Sequence, residues 1–485
     1  MQFLQDIIGL SYFHFYPAIE DFLPPGAKNQ QLYRAIRDGE VSTDEEASQL
    51  IYGDPKAGKK YDMLKKRLKQ QVADHYFQLL SQSNEGPSLP LKHRMDNLKQ
   101  LVIARTLMGQ GQYAQARQLL RYQQQTADTQ FDLSMMLEGL LLLRQMAGYQ
   151  GDRVRFRRYD AQLKKLNQQT YHLRELRGSY EVVRIEHRRR WPFAPVVVDL
   201  AQSCLAQGEQ ESRSNRHPAS TFYLRMLKLT LALHAGNTTQ LRRMLSLQKQ
   251  HIERHPVLKT YDPVASADLL AIEYLSTNHP EDQSLVVQQT IHGSRDESLP
   301  VAAWLTLREI ECIHWLRAKN YERAEQIAQQ LASEEVPAIS SHDKSRWILL
   351  RTYATYLQDQ ILEESLSSLE NNLQPLLSDA SGYGWQWTIL KMLLWIKEPH
   401  LPVRSFLSLL DAYAQRHLAR QSKRSAIFFQ QLRAVIAHRR DEKEVVYQVD
   451  DLKLPSPSVR DSLQELIPCE ILWRRVVDST SNQLK

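Results

Sequence analysis

A turn that returns about every forty residues constrains this chain more than any other feature of its sequence. Helical apolar spacing breaks at Gly111-Gln-Tyr113 and resumes at once. Comparable turn-then-helix signals stand near Gly151-Asp-Arg153, Trp191-Pro-Phe-Ala-Pro195, Gly236-Asn-Thr238, His279-Pro280-Glu281, Lys319-Asn-Tyr321, Asp359-Gln-Ile361 and Leu401-Pro402. With anchors at 113, 153, 196, 238, 281, 321, 361 and 402, the intervals are 40, 43, 42, 43, 40, 40 and 41 residues. Unrelated helices do not space themselves so evenly. A second set of turns is expected between the anchors, at 123–130, 210–218, 254–263, 293–300, 333–343 and 378–384. The pattern predicts an all-α chain whose helical hairpins stack as an α-solenoid over 91–440.

The stretch 98–122 shows the unit most fully. Leu98, Leu101, Val102 and Arg105–Met108 carry one apolar stripe, and Tyr113, Ala116, Leu119 and Leu120 start a second. The Gly-x-Tyr-x-x-Ala that opens the second helix resembles a tetratricopeptide (TPR) repeat, and Lys319-Asn320-Tyr321-Glu-Arg-Ala324 repeats its Tyr-x-x-Ala. The resemblance implies hairpins whose first helices line a groove for a protein or peptide. A period of about 41 residues exceeds the ~34 of a TPR unit, so the hairpins are TPR-like with longer helices or larger loops. HEAT-like hairpins are the nearest alternative.

The chain has 485 residues, more than one compact core usually serves, and its 42% hydrophobic content suits a folded protein. Only 17 glycines are present, which favours helices over turn-rich sheets. Cys204, Cys312 and Cys469 are too widely spaced for a disulfide framework or zinc site, which points to a reducing compartment and a cytoplasmic protein. No apolar run of about 18 residues suggests a membrane span, and the first residues make a poor signal peptide.

Three segments are expected. Residues 1–82 form an N-terminal helical unit. Its aromatic-rich opening, 1–27, should pack on the helices next in the chain; one of these ends at Gly39, and Ser42 or Thr43 caps the next. A third helix carries Tyr61, Leu64, Leu68, Val72, Tyr76 and Leu79 on one face. This unit loosely resembles the DNA-binding part of bacterial regulators that couple such a unit to TPR repeats, which makes Lys59, Lys65, Lys66 and Lys69 candidate DNA contacts. After a linker at 83–90 comes the array, 91–440. The segment 441–485 is expected to be extended, with a short helix at 459–467 and an unstructured tail from 478.

Chemical motifs mostly fail on inspection. Gly53-Asp-Pro-Lys-Ala-Gly58-Lys59-Lys60 nearly spells a phosphate-binding loop, but Lys60 stands where the motif needs Ser or Thr, and helical rather than strand-like sequence precedes it. His251 and His255 lie one helical turn apart without a nameable third ligand. Tyr383, Trp385, Trp387 and Trp395 read as bulky fill between hairpins. No enzyme, cofactor or metal is expected.

Charge is more informative. Between Arg144 and Arg190 stand thirteen Lys/Arg and five Asp/Glu, a local +8 in a chain whose total is +7. In the last helix of this stretch, Leu173, Leu176, Tyr180 and Val183 form a buried stripe beside a basic edge. Arg153, Arg157, Lys164, Arg174, Arg177, Arg184 and Arg188 are therefore candidate contacts to an acidic protein segment, with a nucleic-acid backbone as the alternative. Internal pairing with a neighbouring acidic helix is the competing structural explanation.

Overall fold

The computed structural model of this chain describes residues 23–24, 26–55, 58–82, 89–189, 195–212, 217–235, 237–277, 283, 286–288, 299–332, 341–360, 366–377, 383–398, 402–418, 422–438, 447–455 and 465–482. Most of the aromatic opening (1–27), residues 83–88 of the expected linker at 83–90 and residues 459–464 of the expected helix at 459–467 lie outside them; Leu89 and Pro90 are already helical, and 465–467 are not. Among the described residues the fold is all-α, with twenty α-helices and no strand.

Local backbone chemistry repeats from hairpin to hairpin. At Gln110–Gln112, Gln130–Asp132, Gln150–Asp152, Ala318–Asn320 and Gln358–Gln360 the same three N–H···O bonds close the helix end. In the first of these turns Gln110 N donates to Thr106 O, Gly111 N to Met108 O and Gln112 N to Leu107 O. The middle residue is left-handed every time, at Gly111, Phe131, Gly151, Lys319 and Asp359. This is a Schellman ending whose last residue, at the first four of these turns, also stands directly before the next helix. Asp132, Asp152, Asn237 and Asn320 then accept the N–H three residues on, which caps that helix. Reversal within three residues forces consecutive helices to lie antiparallel and in contact.

The chain divides into two compact units. Unit 1 spans 1–170 with 296–300. It opens with α1 (Lys28–Arg37), α2 (Asp44–Tyr52) and α3 (Lys59–Gln82). Leu32, Tyr33, Ile36, Ala47, Ile51, Leu64, Leu68 and Val72 form their shared core. Thr43 caps α2 in a capping box with Glu46. The side chains of Tyr76 and Leu79 lie outside the described ones. Next come α4 (Leu89–Gly109), α5 (Tyr113–Thr129), α6 (Leu133–Tyr149) and the start of α7 (Arg153–Arg189). α4 packs on both α5 and α6, and α5 on α6. Gly139 lets α5 approach closely enough for Gln123 and Gln124 to donate to Met135 O and Met136 O.

Unit 2 holds the remainder. Its helices are the second half of α7, then α8 (Pro195–Ser212), α9 (Pro218–His234), α10 (Thr238–Arg254), α11 (Leu258–Tyr261), α12 (Pro263–Ser276), α13 (Val301–Arg317), α14 (Tyr321–Ala332), α15 (Ser341–Leu357), α16 (Leu366–Leu377), α17 (Tyr383–Lys397), α18 (Val403–His417), α19 (Lys423–His438) and α20 (Cys469–Asn482). From α13 to α17 each helix packs on its successor, α18 packs on α19, and α17 packs directly on α19 while stacking Trp395 on Phe406 of α18. α13, α15, α17 and α19 also touch in sequence to form one row. Trp385, Trp387 and Trp395 are all buried in α17, as expected of bulky fill.

Three expectations need correction. The turn placed at 123–130 lies at 130–132, because Gln123 and Ala127 are buried and stay in helical register. No hairpin breaks 153–189: α7 runs unbroken for 37 residues, and its only glycine, Gly178, is tolerated inside it. Its two halves belong to different compact units. The tail from Asp478 is helical as far as Asn482, because Cys469, Leu472, Trp473 and Val476 give it a buried stripe.

That last helix is fastened to the row. α20 packs on α17. The buried Arg424 of α19 donates to Glu465 (2.6 Å), to both Glu470 oxygens and to Pro455 O (2.6 Å). Arg317 of α13 donates to Glu465 O (2.7 Å) and Leu466 O, and Arg475 reaches back to Asp359 (2.5 Å). Segment 441–485 is therefore no separate appendage over its described residues.

Candidate protein interface

Arg153 opens α7 directly after the left-handed Gly151 and the cap residue Asp152, whose carboxylate accepts the Arg155 N–H at 2.9 Å. The first turn of α7 carries no acidic side chain, and arginines stand at 153, 155, 157 and 158. Cations at a helix N-terminus oppose its dipole. The local sequence therefore costs α7 some stability, a conflict of the kind found at functional surfaces.

Arg153, Arg157, Asp160 and Lys164 follow 4,3,4 spacing and form one stripe. Asp160 accepts from Arg144 of α6 (2.9 Å) and lies 3.1 Å from Lys164. Those two cations hold its carboxyl below the usual range, Lys164 first. The stripe thus borders the α6–α7 seam. Phe156 marks the same seam: its ring lies beneath the Arg144 guanidinium at 5.8 Å and beside Gly148. Arg153, Arg157, Arg158 and Lys165 are exposed and make no ion pair with a described residue.

The second half of α7 behaves differently. Leu173, Leu176, Tyr180 and Val183 are buried, as the spacing predicts. Arg177 meets Glu181 at 2.9 Å and Asp262 at 3.9 Å, and Arg184 lies 2.6 Å from Asp268. Those aspartates also accept from Tyr223 and Tyr180, each at 2.6 Å. Arg174 is exposed, and the Arg188 side chain lies outside the described ones. Of the predicted basic edge, Arg153, Arg157 and Lys164 stand together in unit 1, while Arg184 is turned inward against Asp268 of α12 and the exposed Arg177 only reaches Asp262 at the start of that helix.

The candidate DNA contacts divide in the same way. Lys59 and Lys66 are exposed, and Lys69 is half-buried. Lys65 binds Asp44 at 2.7 Å, and Tyr61 donates to the same carboxylate at 2.8 Å. Burial opposes the Asp44 charge, yet those hydrogen bonds hold its carboxyl below the ordinary range. Lys65 pins α3 to α2.

Sequence reasoning missed the apolar part of the surface. Leu98 and Val102 were expected in the buried stripe of α4, but Leu101, Ala104 and Met108 fill that role and Val102 is 65% exposed. On α6 Leu141, Gln145 and Tyr149 form an exposed strip, where Gln145 donates to the Tyr149 hydroxyl at 2.7 Å. An excess of apolar residues over what one helix face needs is the available signal.

The remaining motifs gain no chemistry. The loop at 53–58 follows a helix, α2, which ends at the left-handed Gly53. His251 engages Pro218 O at 2.9 Å. Among the described residues no group of three or more His, Cys, Asp or Glu is arranged to hold a metal, and no helix is long and apolar enough to cross a membrane. Compared with known proteins, the chain matches no family model, no curated protein and no solved structure.

Proposed function

We propose that this chain is a helical-repeat scaffold, an α-solenoid of TPR-like hairpins with a period of about 41 residues, that binds an acidic segment of another protein and does no catalysis. The observation that carries this reading is a shared register. Counted from Tyr113, Thr238, Tyr321 and Val403, the helices α5, α10, α14 and α18 turn inward the residues three, seven and ten places on. These are Ala116, Leu120 and Gln123; Leu241, Leu245 and Gln248; Ala324, Ala328 and Leu331; and Phe406, Leu410 and the half-buried Tyr413. Helices also begin at Arg153 and Pro195, so the described starts fall near successive anchors. The recurring Schellman turn supports the same reading. Units of this kind cannot bury their faces alone, so they stack and expose a continuous binding surface.

The test is co-purification from the native cells with the whole chain as bait, followed by size-exclusion chromatography. A partner protein should co-elute in stoichiometric amount. Recovery of bait alone, or of nucleic acid without protein, would overturn the reading. Exposure of Lys59, Lys66 and Arg67 on α3 favours a second reading, a regulator whose N-terminal unit touches DNA. For it, mobility shifts of the whole chain should weaken at higher salt and in a Lys59→Glu/Lys66→Glu variant. Absence of any shift would remove it.

A further inference from the structure

Half of the sixteen large apolar side chains left exposed among the described residues lie between 98 and 156, which concentrates unpartnered apolar surface on α4 to α7. Its densest part follows the α6–α7 seam. Leu141 and Tyr149 share the α6 strip, Phe156 is 39% exposed at the seam, and Arg153, Arg157 and Lys164 line its far side. The two aspartates nearby are already engaged: Asp152 lies 3.2 Å from Arg155, and Asp160 serves Arg144 and Lys164. The seam is therefore apolar along one bank and carries uncompensated positive charge along the other.

We propose that this seam docks an amphipathic acidic helix of a partner protein, with its apolar stripe on Leu141, Tyr149 and Phe156 and its carboxylates toward Arg153, Arg157 and Lys164. This rests on the scaffold reading and fixes where and what the scaffold binds. Charge complementarity selects the occupant. A second copy would set arginine rows against each other, and a phosphate backbone would leave Leu141 and Tyr149 without apolar partners. A helix meets both demands because residues three and four apart share a face while their neighbours flank it.

The test uses the whole chain and a fluorescent designed helix with leucines at i, i+3 and i+4 spacing flanked by glutamates, together with a twin carrying lysines for the glutamates. By anisotropy the acidic peptide should bind, more weakly at higher salt, and the lysine twin should not. Arg153→Glu/Arg157→Glu/Lys164→Glu and, separately, Leu141→Ser/Tyr149→Ser should each weaken binding about tenfold or more. Both sets lie on the surface, and their helical circular dichroism and cooperative melting should be retained. Equal binding of the two peptides, no binding of the acidic one, or variants that bind like wild type would overturn the proposal. So would a duplex DNA, anionic phosphatidylserine vesicles or self-association that depends on the same residues in the peptide's place. Any of these leaves the scaffold reading to its own co-purification test.

Discussion

At Lys319 and Asp359 the backbone stands at φ 63° and 58°, the region that Gly111 and Gly151 occupy without a side chain to oppose it. A Cβ built on Gly151 meets nothing within 4 Å, so the cost of adding one is conformational and not steric. Gly151→Ala should lower stability by about 1 kcal/mol, read from the urea midpoint. Lys319→Gly should raise it by a smaller amount, about 0.5 kcal/mol, since glycine also frees the unfolded chain. A different single-residue effect is expected at His217. Burial first, and His255 second, push its imidazole down to about 4. Its Nδ1 accepts the Ala219 N–H. The unfolded chain binds the proton more readily, so stability is full above the ordinary histidine range and is lost as pH falls toward 4. His217→Asn, which keeps a cap, should melt with a shallower pH dependence between 7 and 5.

Among elements, α20 offers the sharpest test. Arg424 and Glu465 are both buried, and burial pushes the Glu465 carboxyl above its usual range although Arg424 opposes this. Arg424→Met should cost about 3–5 kcal/mol, because it leaves a buried acid unpaired. Arg424→Met/Glu465→Met should recover much of that loss, as thermal melts of the three proteins would show. How much of this was legible depended on the residue type at each bend. Gly-Gln, Gly-Asp and Lys-Asn announced their turns through known left-handed and capping preferences. Phe131 gave no such signal, and the polar run before it looked like loop although Gln123 is buried in a helix. Regular spacing suggested a hairpin in 153–194, where a near-absence of breakers allowed one long helix. At the candidate interface the basic residues were plain in sequence, whereas their fates were not. Asp262 and Asp268, which hold Arg177 and Arg184, lie far along the chain. Whether Val102 faced inward depended on neighbours the periodicity of α4 does not name.

For the whole molecule, the proposed repeat array, with its shared turns, predicts tolerance of changes by whole units. Deleting residues 113–152 joins Gln112 to Arg153 through the same turn and should leave a cooperative helical protein by circular dichroism and denaturant melting. Deleting only 113–132 joins Gln112 to Leu133 through that turn and so reverses α6 relative to α4, against the way the two pack now, which should abolish cooperative unfolding. The fastening of α20 carries a consequence for synthesis. Trp473 and Val476 are wholly buried, and α20 packs on α17, itself rich in buried tryptophan. A nascent chain emerges from its N-terminus and folds in that order, so α17 waits on the ribosome with its apolar cover still unmade. Until residue 476 has been translated, unit 2 is a client for chaperones. A message broken between α19 and α20 would yield a product that quality control can recognise by that uncovered tryptophan-rich helix.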